Sequence, residues 1–281
     1  MKSDSTVFEI SPKTSLFAFN FKEIWQYRDL LVLFVRRDFV AMYKQTILGP
    51  LWFFIQPIIS SFVFYIIFNR VANISTDGMP PYLFYLAGLT AWNYFSTCLN
   101  STSNVFVGNA GIFGKVYFPR LITPLSIVIS NLLKFAMQFV IFMLFYVYFY
   151  MQGAHIQFTV YAWLFPVLLV LMGGLGLGMG IIVSALTTKY RDLTFLVGFG
   201  VQLFMYATPV IYPLSQIPEK YHTYIMLNPM TGVIETFRLA FLGVGVMNWT
   251  ALWYSVAVMI ALLFIGIVLF NKTEKNFMDT V

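Results

Sequence analysis

The chain has 281 residues, of which 59% are hydrophobic, 19% aromatic and only 10% charged. Soluble domains carry about a quarter charged residues, so this balance excludes a soluble globular protein and points to a polytopic membrane protein. The formal net charge of +6 does not indicate nucleic acid, because cations gathered on the cytoplasmic side of a membrane give the same excess and no basic helix or RNA-binding signature accompanies it.

Residues 1–20 are polar and mixed and lack the apolar core of a cleaved signal peptide, so they read as a cytoplasmic tail. From 21 to 35 the pattern turns helical. Ile24, Tyr27, Leu31, Phe34 and Val35 share one face, while Lys22, Gln26, Asp29 and Arg36 share another. With Trp25 and Tyr27 near its start, this stretch is expected to lie along the cytoplasmic membrane surface. A helix packed on a neighbouring element is the alternative. Residues 1–50 thus form the tail and interface helix, and 51–281 the transmembrane domain.

The basic residues Arg36, Arg37 and Lys44 lead through Gly49-Pro50 into an apolar run of 18 residues, 51–68. As a helix this spans about 27 Å, close to the hydrocarbon thickness of a bilayer, and the preceding cations place the amino terminus inside. A polar external loop follows. A second span, 82–105, returns inward, diluted by Asn93, Ser96, Thr97 and Asn100. The connector 107–124 carries Lys115 and Arg120 on the cytoplasmic side. The third span, 125–150, holds Lys134 close enough to the inner interface to snorkel. The external loop that follows carries His155, read as solvated. The fourth span, 162–186, contains the glycine run 173–180, which permits close helix packing or a local bend. A cytoplasmic turn with Lys189 and Arg191 leads to the fifth span, 193–212. The segment 213–249 is too apolar for a solvated loop and reads as short external helices, including one over 231–241, that dip into the outer leaflet. The sixth span, 251–270, ends in a cytoplasmic tail. Of the 17 Lys and Arg, thirteen fall in the inside segments. The expected fold is an all-α membrane protein with six transmembrane helices and both termini cytoplasmic.

Gly108 to Val116 approaches a phosphate-binding loop, but Asn109 stands where the first glycine belongs and Val116 where a hydroxyl must bind the metal. ATP hydrolysis is therefore not expected of this chain, which needs no cofactor of its own. The six spans contain no Asp or Glu, whereas ion-coupled carriers usually depend on intramembrane carboxylates, those that use unwound backbone carbonyls being the exception. No cluster of acids and histidines suggests catalysis or a metal site. The lone Cys98 reads as a packing residue.

Aromatic residues are the abundant resource. Trp52, Gln56, Ser60 and Phe64 recur every fourth position along the first span, and Phe195, Phe199, Gln202 and Tyr206 form a similar stripe on the fifth. Aromatic faces with interspersed amides and hydroxyls suit a sugar chain; a stripe at this spacing also suits packing on another helix.

Three separated motifs carry a family resemblance. The first is Arg36-Arg37-Asp38, Tyr43-Lys44-Gln45-Thr46 and Leu48-Gly49-Pro50-Leu51-Trp52, with Pro57. The second is Gly114-Lys115-Val116-Tyr117-Phe118-Pro119-Arg120, with Pro124. The third is Tyr190-Arg191-Asp192-Leu193, then Pro209-Val210-Ile211-Tyr212-Pro213, Pro218, Asn228-Pro229-Met230 and Glu235. Together they resemble the permeases of ABC-2 type exporters for bacterial surface polysaccharides. The resemblance implies a homodimer in the bacterial inner membrane, engaged by two copies of a separate ATPase that binds ATP and Mg. It implies a polyprenyl-diphosphate-linked glycan as cargo, O-antigen-like or a teichoic acid, with a small-molecule exporter of the same fold as the rival. The two aromatic stripes would line the channel. Lys115, Tyr117, Phe118, Pro119 and Arg120 would couple to the ATPase. Pro213, Pro218, Asn228, Pro229 and Glu235 would belong to an external gate. Arg36, Arg37 and Lys44 could meet the diphosphate at the inner leaflet, besides setting orientation.

Overall fold

The structure, a computed structural model, describes residues 21–44, 49–113, 118–190 and 192–280. Among them every regular element is helical. Four helical stretches are long and apolar enough to cross a membrane: Trp52–Val71, Ile122–Met151, Val160–Thr187 and Trp249–Thr273.

In chain order the helices are α1 (Phe21–Gln26), α2 (Arg28–Tyr43), α3 (Trp52–Phe64, continued by a π-helical turn Tyr65–Val71) and α4 (Pro81–Thr102). Two one-turn helices follow, α5 (Val105–Gly108) and α6 (Ala110–Phe113), and then α7 (Ile122–Met151), α8 (Phe165–Thr187) and α9 (Leu193–Tyr206). The chain ends with α10 (Glu219–Met226), α11 (Pro229–Leu242) and α12 (Trp249–Thr280). The first expected span thus runs on past residue 68, and the last continues through the stretch read as a tail.

The second and fifth expected spans correspond to α4 and α9. With 22 residues, α4 is about 33 Å long, ample for a bilayer. Its polar content has a physical reason. Residues 83–92 are all buried against protein, chiefly on α8, α7 and α3, and hydroxyls turn back on the helix: Thr90 Oγ1 donates to the Leu86 carbonyl at 2.7 Å. A helix sheathed by other helices need not be apolar toward lipid. By contrast α9 has 14 residues, about 21 Å. It stops short of 212 because Pro209 has no amide to donate, and residues 207–212 form turns instead.

The glycine run of α8 brings two helices close on opposite sides. Gly176 and Gly180 face α4, where an added Cβ would stand 2.7 Å from the Phe95 carbonyl and 2.6 Å from Thr102 Cβ; Gly178 faces Leu262 of α12. The run is a packing device. The main core gathers α4, α7, α8 and α11. A second cluster at the other end joins Phe34, Phe106, Phe113, Phe118, Ile181 and Phe270.

The apolar face expected on 21–35 is real. Phe34 is buried, and Ile24, Tyr27 and Leu31 pack against the second cluster. That face meets α7 and the connector rather than lipid. The apolar side chains this helix leaves exposed are Trp25, Val32 and Leu33.

Candidate functional site

The end of the bundle that carries α10 and α11 is built around one buried charge. α11 starts where Asn228 caps it, accepting the Met230 amide at 2.9 Å, with Pro229 in the first turn. The Asn228 amide donates to Thr208 Oγ1 at 2.6 Å, tying the cap to the turn after α9. From α12, Ser255 Oγ donates to the Pro229 carbonyl at 2.6 Å. The helix ends at Gly243, whose φ of 76° suits the left-handed cap.

Between these ends sits Arg238, only 1% exposed. Its Nη1 donates to the Pro209 carbonyl at 2.6 Å and its Nη2 to the Val210 carbonyl at 2.5 Å. One turn earlier Glu235 offers Oε1 at 3.5 Å. The guanidinium carbon lies 3.7 Å from the centre of the Phe84 ring. Gly88 of α4 leaves the space, since a Cβ there would fall 2.6 Å from Nη2. Arg238 Nε and the Tyr85 hydroxyl have no hydrogen-bond partner. A buried guanidinium needs this many acceptors because its desolvation costs several kcal/mol. Burial lowers its pKa to about 10, with Glu235 opposing, so it stays charged near neutrality. Burial likewise pushes the Glu235 carboxyl above the ordinary carboxylate range, against the pull of Arg238.

The two aromatic stripes lie on helices whose main partners within the chain are α4 and α7 for α3, and α4 and α8 for α9. Phe195 is 84% exposed and Phe199 61%, with Gln202 and Tyr206 also exposed, so the α9 stripe is left uncovered by the described residues. On α3, Trp52 and Gln56 are exposed and Ser60 half-buried, while Phe64 packs at 5.3 Å on Phe68 and 6.4 Å on Tyr85. Trp52 and Gln56 are therefore open, whereas Phe64 belongs partly to the core.

At the opposite end, Arg36 and Lys44 are exposed, and Arg37 pairs with Asp38 at 2.7 Å while its guanidinium lies over Phe34. Lys134 of α7 is half-buried and within electrostatic reach of Asp38, as a cation leaning toward this end should be. Of the expected coupling residues, Lys115 and Tyr117 lie outside the described residues. Phe118 is 4% exposed and packs edge-on against Phe34 at 5.6 Å. Pro119 and Arg120 are half-buried, and Arg120 lies over the Phe113 ring. Among the described residues of the connector, Val107, Gly108 and Gly111 are exposed. Residues 108–113, the described part of the near-miss phosphate loop, span the end of α5, a turn at Asn109 and α6.

The profile of the ABC-2 type transporter family matches residues 29–242, most of the chain. The chain belongs to that family. It is similar to the O-antigen export system permease protein RfbA of Klebsiella pneumoniae, 30% identical over 254 residues that cover 89% of this chain and 94% of the relative. RfbA of Myxococcus xanthus is 29% identical over 263 residues, with 92% and 98% covered. The polysialic acid transport protein KpsM of Escherichia coli is 24% identical over 232 residues, with 81% and 87% covered.

In this ABC-2 transporter chain, then, the structure draws some of the expected gate residues together. Asn228, Pro229 and Pro213 are buried, Glu235 reaches Arg238, and Pro218 stays exposed. Sequence reasoning missed Arg238, which the charge count places among the external cations. Its signal was a Glu and an Arg three apart inside an otherwise apolar helical stretch.

Proposed function

We propose that this chain is the membrane-embedded permease subunit of an ABC exporter for a polyprenyl-diphosphate-linked polysaccharide, O-antigen-like, in the bacterial inner membrane. The observation that carries the reading is similarity along nearly the whole of two O-antigen export permeases. The exposed aromatic and amide stripe of α9 supports it. The subunit crosses the membrane six times with both termini inside, α4 and α9 supplying the second and fifth crossings. It works as a homodimer with two copies of a separate ATPase, which holds the ATP and Mg, and this chain has no hydrolytic site of its own.

In this reading, Trp52 and Gln56 of α3 and the α9 stripe face the passage, their rings covering sugar C–H faces and their amides meeting hydroxyls. ATP-driven closure of the ATPase pair pushes on the connector after α4 and shifts the bundle between closed and open states. Helices α10 and α11 gate the outer end. Arg36 and Lys44 attract the diphosphate linker at the inner leaflet.

The test is complementation. A strain lacking its O-antigen permease receives this chain with its own ATPase partner, and surface glycan is separated by size. Restored surface polymer is the expected result. Glycan retained inside, with drug efflux gained instead, would show a small-molecule exporter.

A further inference from the structure

We propose that the cavity of about 470 Å³ between Asp77 of the 72–80 loop, Leu214 and Ser215, α10, α11 and the 245–250 stretch that opens α12 binds one neutral, hydroxyl-rich sugar unit of the exported glycan. The proposal rests on glycan export as read above and adds a subsite at the outer end of each protomer. Pockets for small ligands occupy about 300–1,000 Å³, so the space suits about one or two sugar rings.

The lining supplies the chemistry. Its polar groups include Asp77, Ser215, His222, Glu235 and Asn248, with the indole of Trp249 beside them and no Lys or Arg. Asp77 has no lining cation beside it and repels an anionic sugar, while Glu235, whose charge Arg238 offsets, joins it in accepting hydrogen bonds from hydroxyls. No three His, Cys, Asp or Glu among the described residues are placed to hold a metal ion, which sets this lining apart from a cation site.

Each polar group has capacity left over. Glu235 gives Oε1 to Arg238 at 3.5 Å. Its Oε2 lies toward Gly245, 3.3 Å from where a Cβ would stand, and the missing side chain leaves it open to the cavity. Asp77 accepts the Ser215 hydroxyl at 2.8 and 3.0 Å on its two oxygens, and each oxygen keeps a further lone pair. His222 Nε2 lies 2.8 Å from the Ile217 carbonyl. A carbonyl only accepts, so Nε2 bears the proton and a neutral ring presents Nδ1 as acceptor. Asn248 spends its Oδ1 on the first turn of α12, taking the Ala251 amide at 3.0 Å and the Thr250 hydroxyl at 2.6 Å. Its NH2 group therefore serves as a donor. Trp249 is 46% exposed and offers a flat apolar face to sugar C–H groups. Several acceptors, one amide donor and one ring make a set for a polyol rather than for a lipid or a peptide.

The position gives the subsite a use. Glu235 lines the cavity, and its partner Arg238 grips the turn after α9. A sugar at Glu235 thus contacts the same ion pair that fastens α11 to the end of the helix carrying the exposed aromatic stripe.

The experiment uses the purified full chain in lipid nanodiscs and saturation-transfer NMR. The neutral probes are methyl mannoside and methyl galactoside, and the anionic probe is N-acetylneuraminic acid. Saturable binding of a neutral glycoside is expected, weakened about tenfold in Glu235→Gln and in Trp249→Leu by loss of one charged acceptor or of the ring. N-acetylneuraminic acid should not bind, and calcium should not displace the glycoside. Trp249→Leu keeps the test decisive if Glu235→Gln fails to assemble by size exclusion. Absence of glycoside binding, equal binding by wild type and Trp249→Leu, binding of the anionic sugar, or displacement by calcium would each overturn the subsite. The complementation assay separates the two levels: surface glycan restored by a chain that binds no glycoside overturns the subsite alone, whereas no surface glycan from the wild-type chain overturns the export reading and the subsite's cargo with it.

Discussion

The guanidinium of Arg238 is stacked over Phe84, 3.7 Å from the ring centre, so a cation on α11 is lodged against the buried first half of α4. The same group holds two consecutive carbonyls, those of Pro209 and Val210. One side chain therefore fixes three segments: α11, α4 and the turn that ends α9. Arg238→Met should destabilise the chain by about 3–5 kcal/mol, because Glu235 and two buried carbonyls lose their donor together. Thermal unfolding of the purified protein checks this. The double variant Arg238→Met/Glu235→Gln should recover part of the loss, since the stranded carboxylate is gone and the two effects do not add. Arg238→Lys should remain well below wild type, because an ammonium cannot reproduce the planar fork and the ring stacking.

Gly88 is the counterpart of that arrangement. An alanine Cβ there would stand 2.6 Å from Arg238 Nη2 and 2.8 Å from the Val210 carbonyl oxygen. The carbonyl is backbone in a turn tied to Arg238, so it yields less readily than a free side chain. Gly88→Ala should cost about 1–3 kcal/mol, the usual range for overpacking, and Arg238→Met should relieve part of it. A thermal-melt cycle of the two single variants and the double measures the coupling.

The connector after α4 yields a contrast within a few residues. Phe118 is buried among Phe34 and Phe113, so Phe118→Ala should lower stability by about 3–5 kcal/mol through the cavity it leaves. Val107 is 48% exposed at the same end. Val107→Glu should leave the melt within about 0.5 kcal/mol of wild type, yet weaken capture of the co-expressed ATPase. Co-purification with the ATPase, beside the melting curves, distinguishes anchoring from docking. If Val107→Glu retains the ATPase fully, docking lies elsewhere.

What could be read from the sequence follows what local periodicity and turn chemistry determine. The face of Ile24, Tyr27, Leu31 and Phe34 repeats at helical spacing, and that face packs against the second cluster with Phe34 buried. Asn228-Pro229 is a cap followed by a first-turn proline, and α11 begins there. The glycine run on α8 announces close neighbours, and α4 and α12 fill the two sides. Long-range facts were not legible. Phe118 reads as a contact for a partner because nothing local tells that Phe34 will cover it. The fifth expected span extends to Tyr212, yet α9 ends at Tyr206, where Pro209 stops the helix and the Pro209 and Val210 carbonyls turn to Arg238 instead. Arg238 itself counts as an outer-loop cation by charge rules, which weigh position in the chain and not the space that Gly88 leaves in another helix.

The aromatic stripe of α9 offers the sharpest separation of transport from stability. Phe195 and Phe199 are 84% and 61% exposed, so their truncation removes little packing inside the chain. Phe199→Ala should shift the unfolding free energy of the single subunit by no more than about 0.5 kcal/mol. If the stripe faces a sugar chain, loss of one ring removes a contact worth about 0.5–1.5 kcal/mol at each passing unit. Export of long polymer should then fall more than export of short chains, because a long glycan meets the gap many times. The length distribution of surface glycan, separated by electrophoresis in the complemented strain, reads this directly. A uniform loss of all lengths together with loss of dimer on native gels would instead assign the ring to contact between protomers. Phe199→Tyr, which keeps the ring and adds a hydroxyl, should restore the long chains under the transport reading.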